Sequence, residues 1–139
     1  MSYVPVQIVG VIADEVGSPR NDGSRGSGLY AVPVRLSRSV SSAEASLLEA
    51  LWDSPPSFTT MHRPGIARVA GDQITLDGTT IEEVERYHAK TLSRVVDKFN
   101  VDAAALVERQ DREQREADEA EAEHRRRVDE ASSRIKFES

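Results

Sequence analysis

A chain of 139 residues has room for one modest domain, or for a smaller domain with an appendage. It carries 18 Lys and Arg against 24 Asp and Glu, a formal charge of −6, with no strongly basic segment, which disfavours broad nucleic-acid binding. There is no cysteine, so disulfides, thiolate metal sites and cysteine nucleophiles are all excluded, and no apolar run nears the roughly 20 residues needed to span a bilayer.

The composition divides the chain. Residues 1–100 hold nearly all the large apolar side chains, while residues 101–139 hold 12 Asp and Glu and 8 Lys and Arg. This reads as an α+β domain over 1–100 and a charged helical arm over 101–139. The first residues show neither a basic stretch nor a long apolar core, so no signal peptide is expected and the expected location is cytoplasmic.

Residues 3–13 read as the first strand. Val4, Val6, Ile8, Gly10 and Ile12 alternate onto one face, with Val9 and Val11 on the other. Gly10 suggests a bulge. Residues 17–28 contain four glycines, Arg20 and Arg25, and no apolar residue until Leu29. Glycine backbones and arginines suit an anion. The spacing matches neither a P-loop nor a dinucleotide fingerprint, and the bland reading, a plain hairpin connection, is favoured by the composition. Tyr30, Val32, Val34 and Leu36 then give a second strand its core face. Pro33, lacking an N–H, belongs on an edge or at a bulge.

Ser41-Ser42-Ala43-Glu44 is a capping box and predicts a helix to about Asp53, with Leu47, Leu48, Ala50 and Leu51 as its stripe. Trp52 falls at the margin of that stripe, expected at the rim of the core with its indole N–H in water or on a carbonyl. Ser54-Pro55-Pro56 ends the helix. A long connection over 54–65 follows, carrying His62 and Arg63; such loops are often functional. The pair could bind an anion or transfer a proton, or be ordinary surface.

Gly71-Asp72 between Ile66-Ala67-Arg68-Val69-Ala70 and Gln73-Ile74-Thr75-Leu76 predicts a two-residue hairpin. Closing it pairs Val69 with Ile74 and Ala67 with Leu76 on one face. Thr79 or Thr80 then caps a helix, with Glu82 and Glu83 suiting its positive end. Ile81, Val84, His88, Leu92, Val95, Val96 and Phe99 share one stripe at 100° per residue. His88, in mid-stripe, is expected to be neutral, and either bonded to a carbonyl or hydroxyl in the core or lining a cleft. Asn100-Val101-Asp102 predicts a break or kink. Beyond it lies charge and alanine, with Glu121–Arg125, Glu123–Arg127, Arg112–Glu116, Arg115–Glu119 and Arg125–Asp129 as i,i+4 pairs. A thin seam runs through Leu106, Glu113, Ala117, Ala120, His124, Val128, Ala131 and Ile135.

The element order ββαββα is a permuted ferredoxin-like arrangement. It predicts an antiparallel four-stranded sheet of spatial order 1-2-4-3, two helices on one face and the charged arm appended. The open face, with Val9, Val11, Ala13, Ala31 and Pro33, is expected to be partly apolar. The reading that follows is a non-enzymatic protein-interaction or assembly module. It associates as a homodimer, or docks another protein, through an interface drawn from Val9, Val11, Leu106, Val107, Val128 and Ile135. The alternative is a small anion-binding domain or enzyme that gathers His62, Arg63, Arg68, His88, Arg20 and Arg25. RNA reading by the open sheet face ranks last, for want of exposed aromatics and a basic surround. No metal or cofactor is expected.

Overall fold

A computed structural model of the chain describes residues 3–138. It has an α+β fold. The elements are β1 (Ile8–Val11), β2 (Tyr30–Leu36), α1 (Ser42–Asp53), β3 (Ala67–Ala70), β4 (Gln73–Thr79), α2 (Ile81–Glu83) and α3 (Ala89–Arg134). A 3-10 turn, Ala13–Glu15, follows β1, and a π-helical turn, Val84–His88, joins α2 to α3. The four strands form one antiparallel sheet in the order β1-β2-β4-β3, the order expected from the sequence. By their contacts the described residues fall into two units, residues 4–102 and residues 103–138 with Tyr3.

In the first unit the β3–β4 hairpin has the expected register, with Ala67 opposite Leu76 and Val69 opposite Ile74. Gly71 takes φ +59° while Asp72 stays at negative φ, the pattern of a type II′ turn. Asp72 is tied to β2 as well: Arg35 Nη1 donates to its carboxylate at 2.8 Å, and its carbonyl accepts from the Leu36 N–H at 2.7 Å.

Pro33 sits buried inside the sheet, opposite Thr75. The relief expected there is a bulge at Pro33 itself. The irregularities instead fall on its neighbours, between Ile8 and Gly10 in β1 and between Tyr30 and Ala31 in β2. The carbonyls of Ala31 and Pro33 accept from Gly17 and Ile12, so the missing proline N–H falls on the β1 side. There β1 has already ended at Val11, and the 3-10 turn packs against β2. No ladder bond is lost.

The β1 bulge corrects the open-face expectation. Val9 is exposed on the Arg35 side, but the extra residue turns Val11 to the other face, opposite Val34. Val11 there lines an apolar cleft of about 180 Å³ with Val34, Val84 and Leu92. Val9 and Val11 therefore do not share a surface. The open face carries Arg35, Arg68, Gln73, Thr75 and Asp77, and Pro33 is covered.

The core gathers Val32, Val34, Leu36, Ile74 and Leu76 of the sheet with Leu48 and Trp52 of α1 and Val84, Leu92, Val95, Val96 and Phe99 of the second helix. The Ser41 capping box forms in both directions, at 2.9 and 3.1 Å. Thr80 Oγ1 accepts from the Glu83 N–H at 3.1 Å, and the Tyr30 hydroxyl accepts from the Ile81 N–H at 2.9 Å. Two of the orphan donors at that helix start are thus met.

The break at Asn100 does not occur: α3 runs through it to Arg134. The Asn100 amide is used elsewhere. Its Nδ2 donates to the Val6 carbonyl at 2.8 Å and its Oδ1 accepts from the Val6 N–H at 2.9 Å. Lys98 and Asp102 pair across the same turn at 2.9 Å. Asn100→Ala is expected to cost about 1–3 kcal/mol in urea unfolding, because it leaves both backbone groups of buried Val6 without their partner. A cost under about 0.5 kcal/mol would show that water replaces the amide.

In the second unit the Ile135 N–H still bonds to Ala131, one residue past the end of α3. Of the five expected i,i+4 pairs, Glu123–Arg127 closes, at 3.2 Å. Val107 and Tyr3 line one shallow groove with Ala104 and Glu108. Among the described residues no helix is long and apolar enough to cross a membrane.

Candidate functional site

A polar cluster lies where the end of α1, the 54–65 connection, the end of β4 and the π turn meet. Trp52 is its centre and is fully buried, not at the rim. Helical rotation past Leu48 brings the indole inward, and its N–H donates to the Arg63 carbonyl at 2.8 Å. The Trp52 carbonyl in turn meets His62 Nε2 at 2.8 Å, which makes Nε2 the protonated ring nitrogen. Asp53 Oδ1 accepts from the Gly65 N–H at 2.7 Å. The long connection is thus fastened to the end of α1 at three points.

Arg63 reaches α2. Its Nε and Nη2 donate to the two carboxylate oxygens of Glu83, both at 2.9 Å, a bidentate pair. Buried Thr79 donates to the same carboxylate at 2.8 Å. These donors hold the Glu83 pKa down at about 2, chiefly through Arg63, and Glu83 raises that of Arg63.

His88 sits beside this pair, wholly buried, its ring edge-on to Trp52 at 5.6 Å between centroids. His62 lies against the same indole at 4.6 Å. The expected carbonyl or hydroxyl partner of His88 is absent among the described residues. Neither ring nitrogen makes a hydrogen bond, and Nε2 stands 3.5 Å from Glu83 Oε1. Burial pushes its pKa below 6.5 more strongly than the Glu83 charge pulls it up, so the ring is neutral at pH 7. His88 closes the π turn, in which the Ala89 N–H reaches back five residues to Val84.

The structure therefore brings together three residues of the anion-site expectation, His62, Arg63 and His88. The others lie elsewhere. Arg68 donates to its neighbours' carbonyls, those of Gly65 and Ala67. Arg20 and Arg25 are exposed on the 17–28 loop, where Asp22 accepts from Ser24. Glu83 already fills the Arg63 fork that an anion would need. The cluster as it stands is a cross-link between four elements, with a neutral histidine shut inside. Sequence reading missed Glu83 and Thr79 as members, since nothing in their spacing from Arg63 marks them. No protein-family model, no curated protein and no solved structure matches this chain.

Proposed function

We propose that this protein is a non-enzymatic assembly module that self-associates through its charged C-terminal helix. The carrying observation is that Leu106, Val128 and Ile135 stand 41%, 38% and 56% exposed on one stripe of an otherwise charged segment. Nothing within that segment gives such a helix a core of its own, and helices of this kind gain most of their stability by docking.

The domain offers fewer competing routes. β1 and β3 are the sheet edges; Asn100 takes the backbone groups of Val6 just ahead of β1, and in β3 Glu49 accepts from the Val69 N–H at 2.9 Å. Edge pairing with a second copy is thereby discouraged. The strand order and the two helices suit a permuted ferredoxin-like domain, and a chain without cysteine suits the reducing cytoplasm. Fold alone fixes no function.

Light scattering after gel filtration tests the reading. The full chain is expected at twice its chain mass, and the variant Leu106→Glu/Val128→Glu/Ile135→Glu at the mass of one chain. A full chain that stays monomeric at concentrations on the order of 100 μM, or a variant that assembles equally well, would remove the proposal.

A further inference from the structure

We infer that the C-terminal helix pairs with the same helix of a second copy in the antiparallel sense, about a two-fold axis at His124. This rests on the self-association reading and adds its geometry.

The seam itself is the first observation. Its members from residue 113 to residue 135 follow spacings of 4, 3, 4, 4, 3 and 4, an 11-residue period. That period is about 3.67 residues per turn, close to the natural α-helix, so nearly straight helices keep such a seam in register. The series also reads the same in both directions from His124. Ala120 and Val128 each lie four residues away, Ala117 and Ala131 seven, and Glu113 and Ile135 eleven. An isologous pair needs this property, because each contact must occur twice. With His124 opposite His124, Val128 meets the small Ala120, Ala131 meets Ala117, and Ile135 lies along the Glu113 stem. A seam of alanines also permits a close approach of the two backbones.

Charge chooses the direction. At 100° per residue from His124, Glu121 and Arg125 flank one side of the seam. Glu116, Glu123, Arg127 and Arg134 flank the other. Antiparallel helices bring like flanks together at mirrored heights. Glu121 then comes within two residues of height of Arg125, Glu123 of Arg127 and Glu116 of Arg134, each pair made twice, against one like-charge contact each of Arg125 with Arg125 and Glu123 with Glu123 at the same offset. Parallel helices bring opposite flanks together at equal heights, which at the same offset sets Glu121 against Glu123 and Arg125 against Arg127, each twice, with Arg125 against Glu123 as the one favourable pair, so the balance still favours the antiparallel sense. Flanking charges of this kind select orientation. Glu116, Glu121, Arg125 and Arg134 form no ion pair among the described residues, so they are available across the interface.

The natural absence of cysteine makes cross-linking a clean test. Three full-length variants are oxidised and their dimer fractions compared: His124→Cys, Ala117→Cys and Ala131→Cys. All three positions lie on the helix surface, outside the domain core. In the antiparallel pair the two copies of position 117 stand about 21 Å apart along the axis, so thiols introduced there are far beyond disulfide reach. The expected result is that His124→Cys cross-links alone, Ala117→Cys and Ala131→Cys do not, and a mixture of the last two yields the mixed dimer. Ala117→Cys dimers forming as readily as those of His124→Cys would overturn the antiparallel sense. A dimer by mass whose mixture fails to cross-link would overturn the His124 axis. If no variant cross-links and the full chain scatters as a monomer, self-association itself is what fails.

Discussion

Trp52→Ala is expected to lower the unfolding free energy by about 3–5 kcal/mol, the range for truncating a large buried aromatic. Trp52 is wholly buried, packed between His62 and His88, and its indole N–H holds the Arg63 carbonyl. Alanine would empty the largest side chain of the core and release that carbonyl. The loop over 54–65 would lose one of its three fastenings, the one that holds the Arg63 carbonyl, while those from the Trp52 carbonyl to His62 and from Asp53 to Gly65 remain. Domains of this size carry only about 5–15 kcal/mol in total, so the variant should unfold in markedly less urea. Trp52 is the only tryptophan, so far-UV circular dichroism must follow the transition. Trp52→Phe is the companion variant. It keeps most of the ring volume and loses the N–H, and should cost about 1–2 kcal/mol. A loss below about 1.5 kcal/mol for Trp52→Ala would mean that the cluster relaxes around the gap and does not organise the loop.

The elements that could be read from the sequence are those whose cause is local. A glycine at the first loop position and alternating apolar residues fix the β3–β4 register, and Ser41 with Glu44 three residues on fixes the start of α1. The stripe from Val84 to Phe99 is likewise a property of one helix, and each of its members is buried. The features that escaped have distant causes. Asn100 has good stop chemistry for a helix, yet Val6, 94 residues away, claims its side chain. A bulge at Gly10 is legible in the sequence, but its consequence for Val11 depends on β2. In the candidate site, His62, Arg63 and His88 could be singled out by type. Their common neighbours Trp52 and Glu83 could not, because the Arg63–Glu83 bond spans 20 residues with no periodic rule behind it. The π turn has no sequence signature at all here. It accompanies the burial of His88 in the second helix, and burial is decided by packing.

Glu83→Gln is expected to cost about 2 kcal/mol at pH 7 and to remove much of the protein's sensitivity to acid. The Glu83 carboxyl titrates at about 2 in the folded chain against 4.5 when unfolded. A depressed carboxyl contributes its stability fully above 4.5 and loses it as the pH falls through about 2. A shift of that size corresponds to about 3 kcal/mol. The Arg63 side chain is 35% exposed, so solvent screening trims the figure. Glutamine keeps an acceptor for Thr79 and Arg63 but cannot titrate, so the two urea-stability curves should converge between pH 4.5 and about 2. Glu44, held at about 2 by Arg38, sets the residual slope in both proteins. The His88 window opens at higher pH. Its folded pKa lies below 6.5, so stability begins to fall as the pH drops beneath 6.5 and the unfolded ring takes the proton first. Glu83 is the anion that favours protonated His88, with His62 and Arg63 opposing it. Removing that charge should therefore push the folded His88 pKa further down and carry the His88 loss to lower pH, while flattening the Glu83 part of the curve below 4.5. The opposite signs of the two effects distinguish this coupling from a general loss of packing, which would shift the whole profile down in parallel. Parallel curves from neutral pH down to about 2 would show that Glu83 is held by shape and not by the charge of Arg63.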